Sequence, residues 1–185
     1  FPEDLILALD TSAGSGQKAL DRSVAFAKSF LAALEKHRPN ANVTILESDL
    51  TTRTCAARGS IASARGCLDG LRAGGASDLG ALAASLRGEL ASSSAPTHVI
   101  YFGDGKPTIG EVDDATLMTA FADAIGTRHR LHTVSVGQRS GASFMRALAA
   151  RNAGFFYTSS ALESASTDAS RVLDAISRPT IRIER

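Results

Sequence analysis

Residues 5–16 read LILALDTSAGSG, and they give the clearest indication of how the chain folds. Its first half is a continuous apolar run, which is typical of a parallel β-strand buried on both faces. Its second half is a polar, glycine-containing turn that starts at Asp10. A helical pattern of apolar residues follows, running from Leu20 to Leu34 and ending before Pro39. Strand, turn and helix in this order predict the first unit of an α/β domain.

The same unit recurs along the chain. Further apolar, β-rich runs lie at residues 43–46, 99–102, 133–136 and 155–158, and helical patterns lie at 79–90, 117–125, 144–148 and 162–176. The segment 51–75 is less clear and predicts an edge strand near Arg53–Ala56 and a helix near Ile61–Leu71. We therefore predict an α/β fold of three layers: a doubly wound, mostly parallel central sheet with helices on both faces. No internal repeat or linker divides residues 1–185, so we expect one domain.

Composition excludes several classes of partner. The chain has 185 residues, is 44% hydrophobic and 21% charged, and carries a formal charge of +1. This balance gives no field that favours nucleic acid or an anionic membrane, and no apolar run reaches the roughly 20 residues that span a bilayer. The abrupt start before Leu5 and the strand-like end at Thr180–Ile183 lead us to expect a piece of a longer protein.

The chain has two cysteines, Cys55 and Cys67. Two thiols are too few for a zinc site or for a disulfide-dense scaffold. A single disulfide and a pair of unbonded core thiols both remain open at this point.

Oxygen-bearing side chains follow two of the strands. Asp10 comes directly after the first strand, and Asp104 follows the run at 99–102. Ser77 lies between them in sequence, at the start of a helix. The carboxyl ends of parallel strands lie at one edge of the sheet, and ligands bind there where the strand order reverses. Carboxylate and hydroxyl oxygens without imidazole or thiolate suit magnesium, calcium or manganese.

These loops resemble those of von Willebrand factor A domains. The matching segments are Asp10-Thr11-Ser12, Gly75–Gly80 and Gly103–Thr108, and the predicted strands at 131–137 and 154–157 are similar to later strands of that family. The resemblance covers nearly the whole chain and implies a Rossmann-like fold. It also implies a metal-ion-dependent adhesion site, built in that family from an Asp-x-Ser-x-Ser loop, a Thr in a second loop and an Asp in a third.

Carried over by position, the resemblance makes Asp10, Ser12, Ser77 and Asp104 the metal ligands, with Ser77 standing where the family usually has Thr. The implied cation is Mg²⁺, with Ca²⁺ or Mn²⁺ as alternatives. The implied function is noncatalytic: the cation recruits an acidic residue of a protein partner. We therefore expect no enzyme, no bound nucleic acid and no insertion of this domain into a membrane.

One position departs from the family pattern. The second serine of the first loop falls on Gly14, which has no side-chain ligand, and Ser15 replaces it only if the loop is shifted by one residue. The sequence therefore leaves open a weaker site, a site with an additional water ligand, and a degenerate site that has lost the ion.

A narrower resemblance concerns the surrounding protein. The neighbourhood of Asp10–Ala13 and the ending Arg178–Ile181 look most like bacterial proteins that carry an inter-α-trypsin inhibitor (VIT) type domain beside the A domain. This resemblance implies a larger protein, associated with the envelope or exported, although the sequence itself leaves the location unknown.

Other interpretations of the same residues remain open. Asp10 and Ser12 could cap the following helix, Ser77 and Asp78 could do the same for theirs, and Gly103–Gly105 could be a plain turn.

Two functional alternatives compete with the metal site. Residues 14–19, GSGQKA, fit the glycine pattern of a nucleotide-binding Rossmann enzyme, but Asp10 puts negative charge beside the pyrophosphate. The acids at Glu47 and Asp49 come about thirty residues after Gly16, beyond the usual ~20. The other alternative is a metal-independent interaction module that uses the same face or the segment Arg53–Arg72.

No nucleophile has a base in predicted reach. The four histidines, His37, His98, His129 and His132, lie away from the binding loops, and residues 128–132 are most simply a solvated approach to a strand. This arrangement argues against a hydrolase.

Overall fold

The computed structural model describes residues 3–136, 141–159 and 164–178. Its strands are β1 (Asp4–Asp10), β2 (Asn42–Ser48), β3 (Thr52–Gly59), β4 (Thr97–Phe102), β5 (Arg130–Val136) and β6 (Phe156–Ser159). Its helices are α1 (Gln17–His37), α2 (Ile61–Gly70), α3 (Leu79–Ala91), α4 (Asp114–Ile125), α5 (Ala142–Arg151) and α6 (Ala165–Ser177). Each strand and helix predicted within these ranges is present, with ends that differ by a few residues.

The strands form one sheet in the order β3-β2-β1-β4-β5-β6. All neighbouring pairs are parallel except β2 and β3, which are antiparallel. The chain runs outward from β1 in one direction and then returns to place β4 on its other side. The order therefore reverses between β1 and β4, and the loops that follow these two strands diverge there.

Strand β1 is buried along its whole length because helices cover both faces of the sheet. Leu5, Leu7 and Leu9 pack with α1, α2 and α6, whereas Ile6 and Ala8 pack with α3, α4 and α5. Successive side chains of a strand point to opposite faces, so one apolar strand serves two cores. This arrangement confirms the predicted three-layer, mostly parallel α/β fold.

The segment that was least clear in the sequence forms the antiparallel edge of the sheet. Strand β3 leads into α2, which begins after Ser60, whose hydroxyl accepts a hydrogen bond from the Ser63 N–H at 3.2 Å. Cys55 of β3 and Cys67 of α2 form a disulfide with their Cα atoms 5.9 Å apart. The bond settles the question that the sequence left open and ties the edge strand to the helix that covers it.

One local prediction was wrong. The segment 128–132 is not a solvated approach to a strand, because His129 is 9% exposed and His132 only 2% exposed. Both rings lie near the amino ends of the parallel strands, where β5 begins.

Parts of other predictions fall outside the described residues: Gly137, Leu162, and the end of the chain from Pro179 onward, which includes the predicted strand at Thr180–Ile183. No helix in the described ranges is both long and apolar enough to cross a membrane.

Candidate functional site

Asp10 is the last residue of β1 and is 4% exposed. Its Oδ1 atom accepts a hydrogen bond from the Ser12 N–H at 2.9 Å, and its Oδ2 atom accepts a longer one from the Ser15 hydroxyl at 3.3 Å. Helix α1 starts only at Gln17, and the residue before it, Gly16, provides no side-chain cap. Asp10 and Ser12 therefore do not cap this helix, and another reason is needed for a buried carboxylate at this edge.

Asp104 follows β4, the neighbour of β1 across the switch point. Its Oδ1 atom accepts a hydrogen bond from the Lys106 N–H at 3.0 Å, which closes the turn. Asp10 and Asp104 line one narrow cleft together with Ser15 and Gly103. The third loop therefore forms a turn whose carboxylate lies in the same cleft as Asp10.

Burial raises the pKa of Asp10 above its ordinary value, and the neighbouring charge of Asp104 raises it further, while the hydrogen bonds from Ser12 and Ser15 act in the opposite direction. The ionised form of Asp10 is thus disfavoured in the cleft. A cation between the two carboxylates would remove much of this penalty, because it would offset both the burial of the charge and the repulsion.

Ser77 is buried and belongs to a loop that touches the other two. The carbonyl oxygen of Gly75 accepts a hydrogen bond from the Ala13 N–H at 2.9 Å, which joins the first and second loops. The Ser77 N–H donates to the Thr108 hydroxyl, and the Thr108 N–H donates to the Ser77 carbonyl, both at 2.9 Å. Asp78 alone caps α3, because its Oδ1 accepts from the Ala81 N–H at 2.9 Å. Capping therefore does not account for the buried Ser77.

Ser15 lies in the cleft, although its place in the sequence made it a poor match to the family pattern. Its hydroxyl reaches Asp10, whereas Gly14 leaves open space beside Ser12: a Cβ at position 14 would lie 4.0 Å from the Ser12 Oγ. Gly14 has no hydroxyl, but the next residue in the loop, Ser15, has one, and it contacts the Asp10 carboxylate.

Tyr101 of β4 was not singled out by sequence reasoning. Its side chain is completely buried, and its hydroxyl forms no well-aligned hydrogen bond with the described residues, although the Asp10 carboxylate and the Gly105 backbone lie close enough to shift its pKa. Burial raises the pKa of Tyr101 well above its ordinary value, and the nearby charges of Asp10 and Asp104 raise it further. The group is therefore a neutral phenol, able to donate a proton in a hydrogen bond, close to the two carboxylates.

A sequence signal for Tyr101 exists in the alternation of β4. Residues two apart in a strand share a face, so Gly103 stands next to Tyr101 on the side toward the site. A Cβ at position 103 would overlap the Tyr101 hydroxyl and lie 3.0 Å from the Cβ of Asp10. An aromatic residue followed two positions later by glycine at the end of a strand thus indicates a ring that extends toward the loop edge.

The chemistry of this site fits a hard cation. The donors near the cleft are carboxylate and hydroxyl oxygens, which are the ligands of Mg²⁺, Ca²⁺ and Mn²⁺. No group of three or more histidine, cysteine, aspartate or glutamate side chains within the described ranges is arranged to hold a metal ion. With two carboxylates, an ion here depends on hydroxyls, water or a further carboxylate for the rest of its coordination shell.

Comparison with known proteins gives a likeness in structure alone. No protein-family model matches the sequence, and no curated protein matches it. A von Willebrand factor type A protein from Catenulispora acidiphila superposes with a TM-score of 0.73 at 19% identity, over 94% of this chain and 42% of that one. An aerotolerance-related membrane protein from Bacteroides fragilis gives a TM-score of 0.72 at 11% identity, over 94% and 98% of the two chains.

The VWA domain of SpRpn10 gives a TM-score of 0.73 at 10% identity, over 92% and 95% of the two chains. The present chain thus spans less than half of the C. acidiphila chain but nearly all of the other two. The VIT-type context inferred from the sequence stays a prediction. The chain has the Rossmann-like α/β fold of von Willebrand factor A domains.

Proposed function

We propose that this domain is a noncatalytic protein-binding module that holds a divalent cation at the carboxyl edge of its sheet. Asp10, Ser12, Ser77 and Asp104 hold the ion, some of them through water, and a carboxylate of a protein partner completes the coordination. Mg²⁺ is the expected ion, with Ca²⁺ and Mn²⁺ as alternatives. The observation that carries the proposal is the placement of Asp10 and Asp104 in one cleft, with no cationic side chain paired to either within the described residues.

Electrostatics favours this proposal over an empty site. Burial is the main cause of the raised pKa of Asp10, and the repulsion from the Asp104 carboxylate in the same cleft adds to it. A divalent cation reverses the sign of the local field, so that a third carboxylate, supplied by a partner, is attracted rather than repelled. The ion is therefore the element that makes recognition of an acidic partner possible.

The surroundings of the cleft favour a protein as the partner. The large apolar side chains that are exposed in the described residues are Leu50, Ile109 and Val112. The Leu50 side chain packs beside Gly75, and the backbone of Ile109 is bonded to that of Ser77, so two of these three residues border the second loop of the site. Apolar side chains around a polar centre are the pattern of a protein interface, so we propose an acidic residue flanked by apolar ones as the recognised feature.

Two alternatives account for the structure less well. A metal-independent module on the same face explains the apolar side chains but leaves the carboxylate pair unexplained. A nucleotide-binding enzyme would have to place a pyrophosphate beside Asp10 and Asp104, and the acids at the end of β2, Glu47 and Asp49, are both paired with Arg53. A titration of NADH fluorescence with no change on adding the protein would exclude the nucleotide alternative.

Calorimetric titration of the metal-stripped protein with Mg²⁺, Ca²⁺ and Mn²⁺ tests the proposal. We expect heat of binding and a rise in melting temperature for at least one ion. In Asp10→Asn both effects should be lost, whereas Asp114→Asn, which removes the same charge from the exposed start of α4, should bind as the wild type does. No heat and no stabilisation with any of the three ions would reject the metal site. Partner binding that survives a chelator would favour the metal-independent module.

A further inference from the structure

The hydroxyl of Tyr101 is a buried donor that forms no well-aligned hydrogen bond, although the Asp10 carboxylate lies close enough to act on it. The ring is 0% exposed, and no described residue forms a hydrogen bond with the hydroxyl oxygen. Buried polar atoms in folded proteins are nearly always bonded, so an orphan of this kind calls for a specific explanation. A core position with no polar role would be served better by phenylalanine, which fills the same space without a donor.

The position of the hydroxyl points to the site above it. Gly103, two residues further along β4, leaves the space that the Tyr101 hydroxyl occupies, and a Cβ at this glycine would lie 3.0 Å from the Cβ of Asp10. The charges of both Asp10 and Asp104 act on the phenol. The hydroxyl therefore lies against Gly103 and close to the two carboxylates.

One of the hydrogen bonds that Asp10 accepts is long enough to be replaced by a bond from another donor. Its Oδ1 accepts a hydrogen bond from the Ser12 N–H at 2.9 Å, and its Oδ2 accepts a longer one from the Ser15 hydroxyl at 3.3 Å. A cation in the cleft would attract the oxygen of the Ser15 hydroxyl, and the hydroxyl proton would then turn away from Asp10. The Asp10 carboxylate could then accept a hydrogen bond from another donor, and the Tyr101 hydroxyl is close enough to interact with it.

We propose that Tyr101 is a positioning residue of the cation site, and that its hydroxyl donates a hydrogen bond to the Asp10 carboxylate when the ion is bound. This inference rests on the proposed function, because it assigns a role only if an ion binds. Groups that hydrogen-bond metal ligands orient them, and their removal typically lowers metal affinity about 10- to 100-fold. On this proposal, ion binding brings the Tyr101 hydroxyl into a well-aligned hydrogen bond with the Asp10 carboxylate.

The variant Tyr101→Phe tests this role because it keeps the ring and removes only the oxygen. In the presence of EDTA we expect a melting temperature equal to or above that of the wild type, since no hydrogen bond is lost. Calorimetric titration with Mn²⁺ should give a Kd about tenfold higher than the wild-type value. A purely structural role for the tyrosine would lower the melting temperature and leave the Kd unaltered.

Tyr157→Phe is the matched control. The Tyr157 hydroxyl donates a hydrogen bond to Asp168 at 2.6 Å, beside α6 rather than at the cleft. This variant should lower the melting temperature in EDTA and leave the Mn²⁺ affinity at the wild-type value. A Kd of Tyr101→Phe within twofold of the wild type would overturn the role of Tyr101 while leaving the cation site intact. A wild-type protein that binds no ion would overturn both, and the wild-type titration alone reveals that case.

Discussion

The two ends of the parallel strands differ in how their buried polar groups are paired. We call the end where these strands begin the amino edge, and the end where they finish the carboxyl edge. At the amino edge, Asp4 at the start of β1 accepts hydrogen bonds from Arg58 and Asn42, each at 2.9 Å. At the carboxyl edge, Asp10 at the end of the same strand has no cationic partner within the described residues, and Asp104 adds a second negative charge. One strand of seven residues thus has a neutralised carboxylate at one end and an uncompensated one at the other.

The histidines follow the same division. His98 and His132, near the amino ends of β4 and β5, form a hydrogen bond of 3.0 Å between Nδ1 and Nε2 and stack in parallel. The Nδ1 atom of His129 accepts a bond from the Thr97 N–H at 3.1 Å. These polar groups of the amino edge are paired within the protein, whereas those of the carboxyl edge include the orphan hydroxyl of Tyr101. An edge paired internally serves stability, and an edge left unpaired is suited to a ligand.

Acid should destabilise the folded protein through the histidines of the amino edge. Burial lowers the pKa of His98 to about 4 and that of His132 to about 3, and the charge of Arg130 contributes to both shifts. Below a pH of about 6.5 the unfolded chain therefore takes up protons that the folded chain does not. The free energy of unfolding falls as the pH is lowered through this window, on the order of 3 kcal/mol for the pair between pH 6.5 and 5.

Urea denaturation at pH 6.5 and pH 5 in EDTA measures this loss. His98→Asn keeps a polar side chain but removes one of the titrating groups, so its stability should fall by about half as much over the same interval. Equal losses in the wild type and in the variant would show that the histidine pair does not cause the acid sensitivity.

At the carboxyl edge, removing a charged group should lower the ion affinity and leave the stability of the metal-free protein intact. Asp104→Asn removes one of two repelling charges and keeps the side-chain oxygen that accepts the Lys106 N–H bond, so the metal-free protein should be at least as stable as the wild type. Its ion affinity should fall by about a hundredfold or more, which is about 2.7 kcal/mol, because half of the carboxylate pair is gone. Thermal denaturation in EDTA and calorimetric titration with Mn²⁺ give the two values. A clear loss of stability in EDTA would mean that Asp104 serves the fold rather than a ligand.

Asp4→Ala is the counterpart at the other end of β1. It leaves Asn42 and Arg58 without their shared acceptor in a region where Asp4 is 5% exposed. We expect a loss of about 2 kcal/mol in the free energy of unfolding, moderated by the exposure of the Arg58 side chain. The ion affinity should stay at the wild-type value, since the whole strand separates the two ends. An altered Kd for Mn²⁺ would show that the two edges are coupled.

Periodicity in the sequence was sufficient to predict the layers of the fold, since an apolar strand buried on both faces has few other interpretations. It also predicted β3 and α2, although the disulfide between Cys55 and Cys67 could not be deduced from two cysteines alone. The local environment of His132 escaped prediction because the charged neighbours in sequence suggested solvent, while the pairing that buries the ring comes from an adjacent strand.

Within the site, sequence order placed Asp10 and Asp104 at one edge because the ends of parallel strands must meet there. It could not show that Tyr101 reaches the same edge, since this depends on the space left by Gly103. Nor could it show that the Ser15 hydroxyl turns toward Asp10, because the path of a glycine-rich loop depends on the hydrogen bonds that anchor it, such as the one from Ala13 to Gly75.

The smallest expected change in ion affinity concerns two neighbouring positions of the first loop, Gly14 and Ser15. If Ser15 supplies the hydroxyl that Gly14 lacks, Ser15→Ala should weaken Mn²⁺ binding several-fold, up to about tenfold or 1.4 kcal/mol, without altering the melting temperature in EDTA by more than a few degrees. Gly14→Ser meets no steric barrier, because a Cβ at this position contacts only the Ser12 Oγ at 4.0 Å. It should restore ion affinity when combined with Ser15→Ala. Binding that is unchanged in Ser15→Ala would mean that the loop coordinates the ion through Asp10 and Ser12 alone, with water in the remaining place.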